Sequence, residues 1–479
     1  MRRLEIAVVA SLFPFVFYLL PGTWGSRASF GLLAFFVGPL IVWQVGAEGY
    51  RWQMLPAYAL AIFVAVYECM RWDFGFRASY FVGVIALLFE IAAVALCTAL
   101  PVFKLPAPSG RYKVGTQSRH IIDSRRRDPF SDRPDGVREL MIQIWYPVDP
   151  SVQGSVAPYR DKRTTTLKSA HFSLVESHSM PGARVSLLQE QYPVLLYTPS
   201  WSGIRTECTF QVEELASHGY VVVGIDHPYC SGIVVFPDGR IARRKFRGDE
   251  DYSSEAAVAA FVETADQQVE IRSQDACFVL DTLEDLNAND PLGLLKGRLD
   301  LARVGIFGFS LGGGTAAESC WLDRRFKAGL DMGGMIAGGA AKEGTGAPFF
   351  FMFEGLYGNR PYAPKADVAR LSASKRRDVE FTRMQFGKMK RSLSEYGGYW
   401  MMVHGIKHRD FCDSPFFSPL RRSSSAAERV ARIISRYAVA FFDQHLRGVE
   451  QPVLDEASVG TQGVSLRVWK TKAFRAPSK

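Results

Sequence analysis

The chain has 479 residues, 48% of them hydrophobic, and a formal net charge of +9, which allows about two or three domains. The positive charge lies in short clusters (Arg125-Arg126-Arg127, Lys375-Arg376-Arg377, Lys388 to Arg391) with no nucleic-acid motif around them, so solvated surface, or at most contact with anionic headgroups, is the reading. Seven cysteines without a C-x-x-C pair argue against a disulfide framework, and neither they nor the eight histidines have metal-ligand spacing. No metal or other cofactor is therefore expected.

The first 104 residues hold only seven Lys/Arg and five Asp/Glu. Apolar stretches run over 6–20, 30–45, 54–67 and 80–102. The second and fourth reach, with their flanks, the roughly 20 residues that a bilayer core requires. The first and third are shorter and contain Pro14 and Pro56. The first, preceded by Arg2 and Arg3, also fits a secretory signal. Trp24, Trp43, Tyr50, Trp52, Tyr67, Trp72 and Tyr80 cluster at the ends of the stretches, as at headgroup level. Residues 1–104 are thus expected to be a transmembrane region of about four helices. Arg2, Arg3, Arg51 and the 104–119 stretch share one side and Arg27, Arg71 and Arg77 the other, which predicts both termini and the globular part in the cytoplasm. Glu90, in the middle of the fourth stretch, is expected to be a protonated carboxyl bonded to a neighbouring helix.

Residues 105–479 have the composition of a globular domain. A proline-rich exit over 101–108 leads to a polar, loop-rich segment over 111–138, a strand over 139–146 and loops over 149–190. Strands and helices then alternate. Strands are predicted over 194–197, 220–225, 326–330, 349–353 and 399–403, helices over 208–217, 256–286 (with a break) and 425–446, and a hairpin over 233–243 about Pro237-Asp238-Gly239. This alternation specifies a mostly parallel sheet covered on both faces, with chemistry at the carboxyl ends of its strands.

Within that pattern Gly308-Phe309-Ser310-Leu311-Gly312 matches G-x-S-x-G between a buried strand and a small-residue helix. It reads as the nucleophile elbow of an α/β-hydrolase fold. Such a serine requires an acid and a histidine later in the chain. Asp331 follows the next strand and His408 follows the 399–403 strand, so Ser310, Asp331 and His408 are the expected triad. Glu354, at the end of the 349–353 strand, is the alternative acid, and His404 the alternative histidine. The backbone amides of Leu311 and Trp201 are the expected oxyanion donors, Pro199 having no N–H. His227 and His445 read as structural; His120, His171, His178 and His218 have no supporting context.

Gly308-Phe309-Ser310-Leu311-Gly312-Gly313, Leu215-Ala216-Ser217-His218-Gly219-Tyr220 and His408-Arg409-Asp410-Phe411-Cys412-Asp413, in this order and spacing, resemble the plasma-type platelet-activating-factor acetylhydrolases and their microbial relatives over about 111–448. The resemblance implies a calcium-independent serine lipase that removes short or oxidised acyl chains from phospholipids. It assigns the acid to Asp331, the triad histidine to His408 and the first oxyanion donor to Trp201. The chain departs from the family in having Pro199-Ser200 where His-Gly is usual, and in its four apolar stretches. The expectation is a membrane-anchored hydrolase of phospholipid acyl esters. A general carboxylesterase or dienelactone-hydrolase-like enzyme on small soluble esters, and a non-catalytic membrane receptor or scaffold, are the alternatives.

Overall fold

The structure, a computed structural model, describes residues 1–19, 27–70, 76–131, 136–246, 250–359, 364–455 and 463–470. Trp24, Arg71 and Trp72 lie outside the described residues, and the side chains of Arg27, Cys69 and Arg77 are not described. The chain divides into two compact units. The first comprises Met1–Lys104, Pro158–Glu176 and Pro415–Ser424, and the second comprises Leu105–Ala157, Ser177–Ser414 and Ser425–Lys479.

Four helices make up most of the first unit: α1 (Arg3–Leu19), α2 (Arg27–Glu48), α3 (Leu55–Met70) and α4 (Phe76–Ala99). Val8, Leu12, Phe15, Leu60, Val64, Ala86 and Ala93 pack between them. Arg51 is buried; it pairs with Glu5 at 3.4 Å and donates to Leu100 O at 3.1 Å, closing the carboxyl end of α4. Among the described residues one helical stretch, Tyr80–Ala99, is long and apolar enough to cross a membrane, with a mean hydropathy of 2.4; Phe35–Glu48 and Trp52–Tyr67 are apolar but shorter. Glu90 is buried, yet its Oε2 makes no hydrogen bond among the described residues, so the expected partner on a neighbouring helix is absent at that atom.

The expectation of loops over the sheet for 149–190 is corrected for Pro158–Glu176, which belongs to the first unit. The physical reason is aromatic packing. Phe103 meets Tyr159, Phe172 and Phe417 at centroid distances of 5.3, 5.4 and 5.1 Å, and Gln53 Nε2 lies 2.9 Å from His171 Nδ1.

The second unit is built on a ten-stranded sheet. Its strands are β1 (Lys113–Arg127), β2 (Val137–Val148), β3 (Ser179–Pro181), β4 (Tyr192–Thr198), β5 (Val221–Asp226), β8 (Leu299–Phe309), β9 (Phe326–Met332), β10 (Phe349–Glu354), β11 (Gly398–Val403) and β12 (Val464–Trp469), while β6 (Ile233–Val235) and β7 (Ile241–Arg243) form the predicted hairpin. The spatial order is β12-β11-β10-β9-β8-β4-β5-β2-β1-β3. From β5 through β4 to β11 every pairing is parallel, and antiparallel pairings occur toward the edges. Helices α5 (Thr209–Ser217), α6 (Glu255–Asn289), α7 (Leu311–Leu322), the short α8 (Ala340–Glu343), α9 (Gly355–Asn359) and α10 (Lys365–Ala369), then α11 (Ala373–Tyr396) and α12 (Ser424–Arg447), complete the alternation.

Two cores explain why the central strands read as unbroken apolar runs. In β10, Phe349, Phe351 and Phe353 join one cluster with residues of α6 and α11, and Phe350 and Met352 join the other with residues of α5 and α12. Burying each such ring contributes about 2–3 kcal/mol, so covering both faces lets a six-residue strand hold its place. Strand β1 falls in the stretch expected to be loop-rich. It pairs with β2 over 113–123, yet buried and exposed residues alternate only over 121–124, where Ile122 is exposed and Asp123 buried, so the sequence carries no clear strand period. Helix α6 runs unbroken for 35 residues where a break was expected. Helix α11 and strand β12 had no counterpart in the sequence reading.

Candidate active site

Ser310 lies between β8 and α7 with φ 56° and ψ −125°. A serine in that region carries about 1–3 kcal/mol of strain, which the surrounding packing must hold. The motif glycines allow the packing. A Cβ on Gly308 would run into Gly312 O, and a Cβ on Gly312 into Thr198 O. The turn is tied down by Ser310 N donating to Met332 O at 2.9 Å and Gly313 N donating to Ser310 O at 2.8 Å.

The parallel register aligns the rim. Thr198 pairs with Gly308, Gly308 with Asp331, and Glu354 with Val403. His408 opens a single helical turn, His408–Phe411, beyond β11, and its Nε2 lies 3.1 Å from Ser310 Oγ. Phe309, the first variable residue of the motif, packs against the imidazole with ring centroids 4.9 Å apart. The loop after His408 is anchored by Asp413, which accepts from Thr209 N at 2.8 Å and Phe210 N at 3.1 Å, satisfying the first amides of α5.

Two carboxyl groups lie behind the imidazole. Glu354 Oε1 is 3.7 Å from His408 Nδ1. Asp331 is fully buried, its Oδ1 accepts from Gly334 N at 2.7 Å, and no hydrogen bond or ion pair joins it to His408 among the described residues. Burial pushes the Asp331 carboxyl well above the usual range, and the charge of Glu354 adds to the rise against the Gly334 bond. The structure therefore brings Ser310 and His408 together and sets Glu354 at the second ring nitrogen.

Trp201 and Leu311 pack in one cluster with Ala265, Val269 and Ala337, and neither backbone amide donates a hydrogen bond among the described residues. The loop carrying Trp201 is braced from both ends. Glu207 accepts from Ser200 N at 2.9 Å and Ser200 Oγ at 2.8 Å. Arg272, buried in α6, donates to Pro199 O and, at 3.3 Å, to Thr198 Oγ1. Thr198 Oγ1 also lies 3.2 Å from His227 Nε2, whose Nδ1 is 2.9 Å from Asp275 Oδ2. Asp275 in turn holds Arg138, which reaches Asp128 at 2.9 Å. Burial pushes His227 down to about 4, so the ring is neutral and accepts from Thr198. The Asp275 carboxyl, which burial alone would raise, is held well below the usual range by Arg138. Sequence reasoning placed His227 among structural residues and missed Glu207, Arg272 and Asp275, which no local spacing connects.

The remaining histidines have other partners: His404 with Ser465, His120 with Glu139, His178 with Glu213 and His218 with Glu214. His445 is half-buried, and desolvation of its ring pushes it down to about 4. Among the described residues no group of three or more His, Cys, Asp or Glu could hold a metal ion.

A mostly parallel, doubly covered sheet with a strained serine at its rim facing an imidazole defines a mixed α/β protein consistent with the α/β-hydrolase architecture. More narrowly, the chain belongs to the family of platelet-activating factor acetylhydrolase, isoform II, whose model matches residues 98–353. It is 26% identical over 282 residues to a probable 1-alkyl-2-acetylglycerophosphocholine esterase of Arthroderma benhamiae, covering 54% of this chain and 66% of that protein. It is 25% identical over 269 residues to a platelet-activating factor acetylhydrolase of Cavia porcellus, covering 50% and 58%. The matched stretch is thus less than two thirds of either relative. Among solved structures, a ferulic acid esterase from Streptomyces cinnamoneus superposes with a TM-score of 0.60 at 27% identity, over 76% of this chain and 99% of that one.

Proposed function

We propose that the protein is a membrane-anchored serine ester hydrolase that cleaves acyl esters of phospholipids with short or oxidised acyl chains. The observation that carries the reading is Ser310 Oγ at 3.1 Å from His408 Nε2, on a serine held at positive φ. In the first half-reaction Ser310 Oγ bonds to the acyl carbon while its proton passes to Nε2. The oxyanion sits between the amides of Leu311 and Trp201. The bond from the acyl carbon to the leaving oxygen then breaks, and that oxygen takes the proton from Nε2. Water repeats the sequence on the acyl-serine and releases the acid. The carboxylate behind the imidazole comes from the Asp331–Glu354 pair.

Phospholipid as substrate is supported by the family and by the named relatives. Membrane anchoring is supported by Tyr80–Ala99, which is long and apolar enough to cross a bilayer, and by apolar side chains exposed on the first unit's helices. Phe35, Phe36, Val42, Trp43, Ile62, Phe81, Ile85, Leu88 and Ile91 are exposed. An apolar belt of that extent is costly in water and neutral in lipid. The belt does not fix topology, and placing the second unit in the cytoplasm rests on the basic-residue bias alone. A small-ester carboxylesterase is the second reading, favoured by the match to nearly the whole length of the ferulic acid esterase.

The test uses the full chain in mixed-micelle and vesicle form. A fluorophosphonate probe should label the wild type and not Ser310→Ala. Acid release from 2-acetyl phosphatidylcholine vesicles should exceed that from soluble p-nitrophenyl acetate at equal ester concentration. Labelling that survives Ser310→Ala would refute the mechanism. Turnover confined to soluble esters would transfer the protein to the second reading.

A further inference from the structure

The second unit carries a groove that shares no residue with the rim around Ser310. It encloses about 660 Å³ between α5 and α12, bounded by the 106–109 segment and the single turn Pro452–Leu454. Cavities of roughly 300–1,000 Å³ are the size that small ligands occupy.

The spacing of residues on α12 makes the groove. Val430, Ile434, Tyr437 and Phe441 take one stripe of the helix into the core. The neighbouring stripe, Ala431, Ser435 and Val439, is short and leaves space against Phe210 of α5. Phe210, Val439, Ala440 and Pro452 give the groove an apolar wall.

The polar groups define what the groove takes. Ser435 is 4% exposed and lines the groove, and its hydroxyl makes no hydrogen bond among the described residues. Arg436 lines the same groove, is exposed, and has no ion pair among the described residues. Arg432, one turn earlier, reaches Glu428 at 3.8 Å in an exposed pair of the kind that contributes little. The carboxylates of the groove are in the opposite condition. Glu214 accepts from Ser109 N at 2.8 Å and from Ser109 Oγ, and lies 3.2 Å from His218 Nε2. Asp443 accepts from the Tyr220 hydroxyl at 2.7 Å and from Arg447 at 2.8 Å. Asp443 also stands seven residues beyond Arg436, about 10 Å along the helix. One end therefore offers two guanidinium groups and a hydroxyl with donors unused, and the other offers carboxylates already satisfied. Ser109, His218 and Glu214 are not a second catalytic set, because Ser109 Oγ and Glu214 Oε1 meet the same ring nitrogen.

We propose that this groove binds a single-chain anionic amphiphile, with its carboxylate or phosphate head on Arg432, Ser435 and Arg436 and its alkyl tail along the apolar wall. A guanidinium group meets either head through two parallel N–H···O bonds. A cationic head would face the same two positive charges and be repelled. The site is independent of the hydrolase reading, since none of its residues acts in that chemistry.

The experiment uses the full chain in phosphatidylcholine nanodiscs and a dodecanoate photoprobe bearing a diazirine, with crosslinked peptides mapped by mass spectrometry. Labelling of 431–440 should saturate with probe concentration. Dodecanoate or dodecyl phosphate should displace it, and dodecyltrimethylammonium should not; which of the two anions competes better identifies the preferred head. The double variant Arg432→Gln/Arg436→Gln should weaken labelling by at least about tenfold. Ser435→Phe, which fills the groove, should abolish it. Both variants should keep the wild-type turnover of p-nitrophenyl acetate, and thermal melting shows whether each is folded; if Ser435→Phe is not, the arginine variant decides. Displacement by the cation, full-strength labelling of 431–440 in the arginine variant, or labelling confined to other segments overturns the site. Ser310→Ala should leave the labelling in place, so a failure of the groove and a failure of the hydrolase reading are read separately.

Discussion

Replacing Gly312 with alanine should cripple turnover while leaving substrate binding nearly unchanged. A Cβ at this position would overlap Thr198 O and lie 2.6 Å from Pro199 O and 2.8 Å from Thr198 C. Ordinary contact begins at 3.4 Å, so relieving the overlap with Thr198 O requires a retreat of roughly 1 Å or more, since neither side of this close-packed contact can yield by a rotamer change. The loop is also braced by Arg272 and Glu207, which resist the shift. Overpacking of this kind costs about 1–3 kcal/mol, which for a unit of this size lowers Tm by roughly 1–2 °C per kcal/mol. The larger effect is on the oxyanion. With the Trp201 amide as the proposed oxyanion donor, the shift carries it away from the forming charge, and loss of one such donor costs about 10²–10³-fold in kcat. The contact is made only in the transition state, so KM should hold. The assay is steady-state hydrolysis of p-nitrophenyl acetate, with active enzyme counted by stoichiometric fluorophosphonate labelling and melting followed in parallel. A labelled variant with kcat within twofold of wild type would show that the loop is not set by the elbow, and the reasoning would fail.

Arg138→Met should destabilise the protein by about 3–5 kcal/mol, because buried Asp128 would lose its cation and Asp275 would be left with the partly exposed Arg126; an unchanged urea midpoint at pH 7 would contradict it. His227 should make the fold acid-sensitive. Its native pKa is about 4 against an ordinary 6.5. Below pH 6.5 the unfolded chain binds a proton that the native ring refuses. The contribution is therefore complete above that value and is lost as pH falls toward 4, amounting to about 3 kcal/mol. His227→Gln should be less stable at pH 7 and show a flatter decline of Tm from pH 6.5 to 4.5; parallel slopes for the two proteins would exclude His227 as the source.

The legible part of the site is the part carried by local spacing. Gly308 and Gly312 are demanded by a strand-to-helix approach that leaves no room for a Cβ, and five consecutive residues record it. His408 could be found because it follows a strong apolar strand, Gly398–Val403, on the same rim. Asp331 is preferred to Glu354 as the acid, but the two end neighbouring strands, β9 beside the elbow strand and β10 one further out, and local spacing does not separate them. The brace on the Trp201 loop was illegible for a related reason. Arg272, His227, Asp275 and Arg138 come from α6, the end of β5 and β2, and only folding brings them within hydrogen-bond reach.

The sequence by itself determined the strand-helix alternation, the serine turn and the apolar helices before residue 105, because periodicity and glycine placement are constraints between near neighbours. Tertiary structure alone decided how the Trp201 loop is held, and that Pro158–Glu176 and Pro415–Ser424 fold with the first unit. Those outcomes depend on the direction and reach of side chains across packed elements.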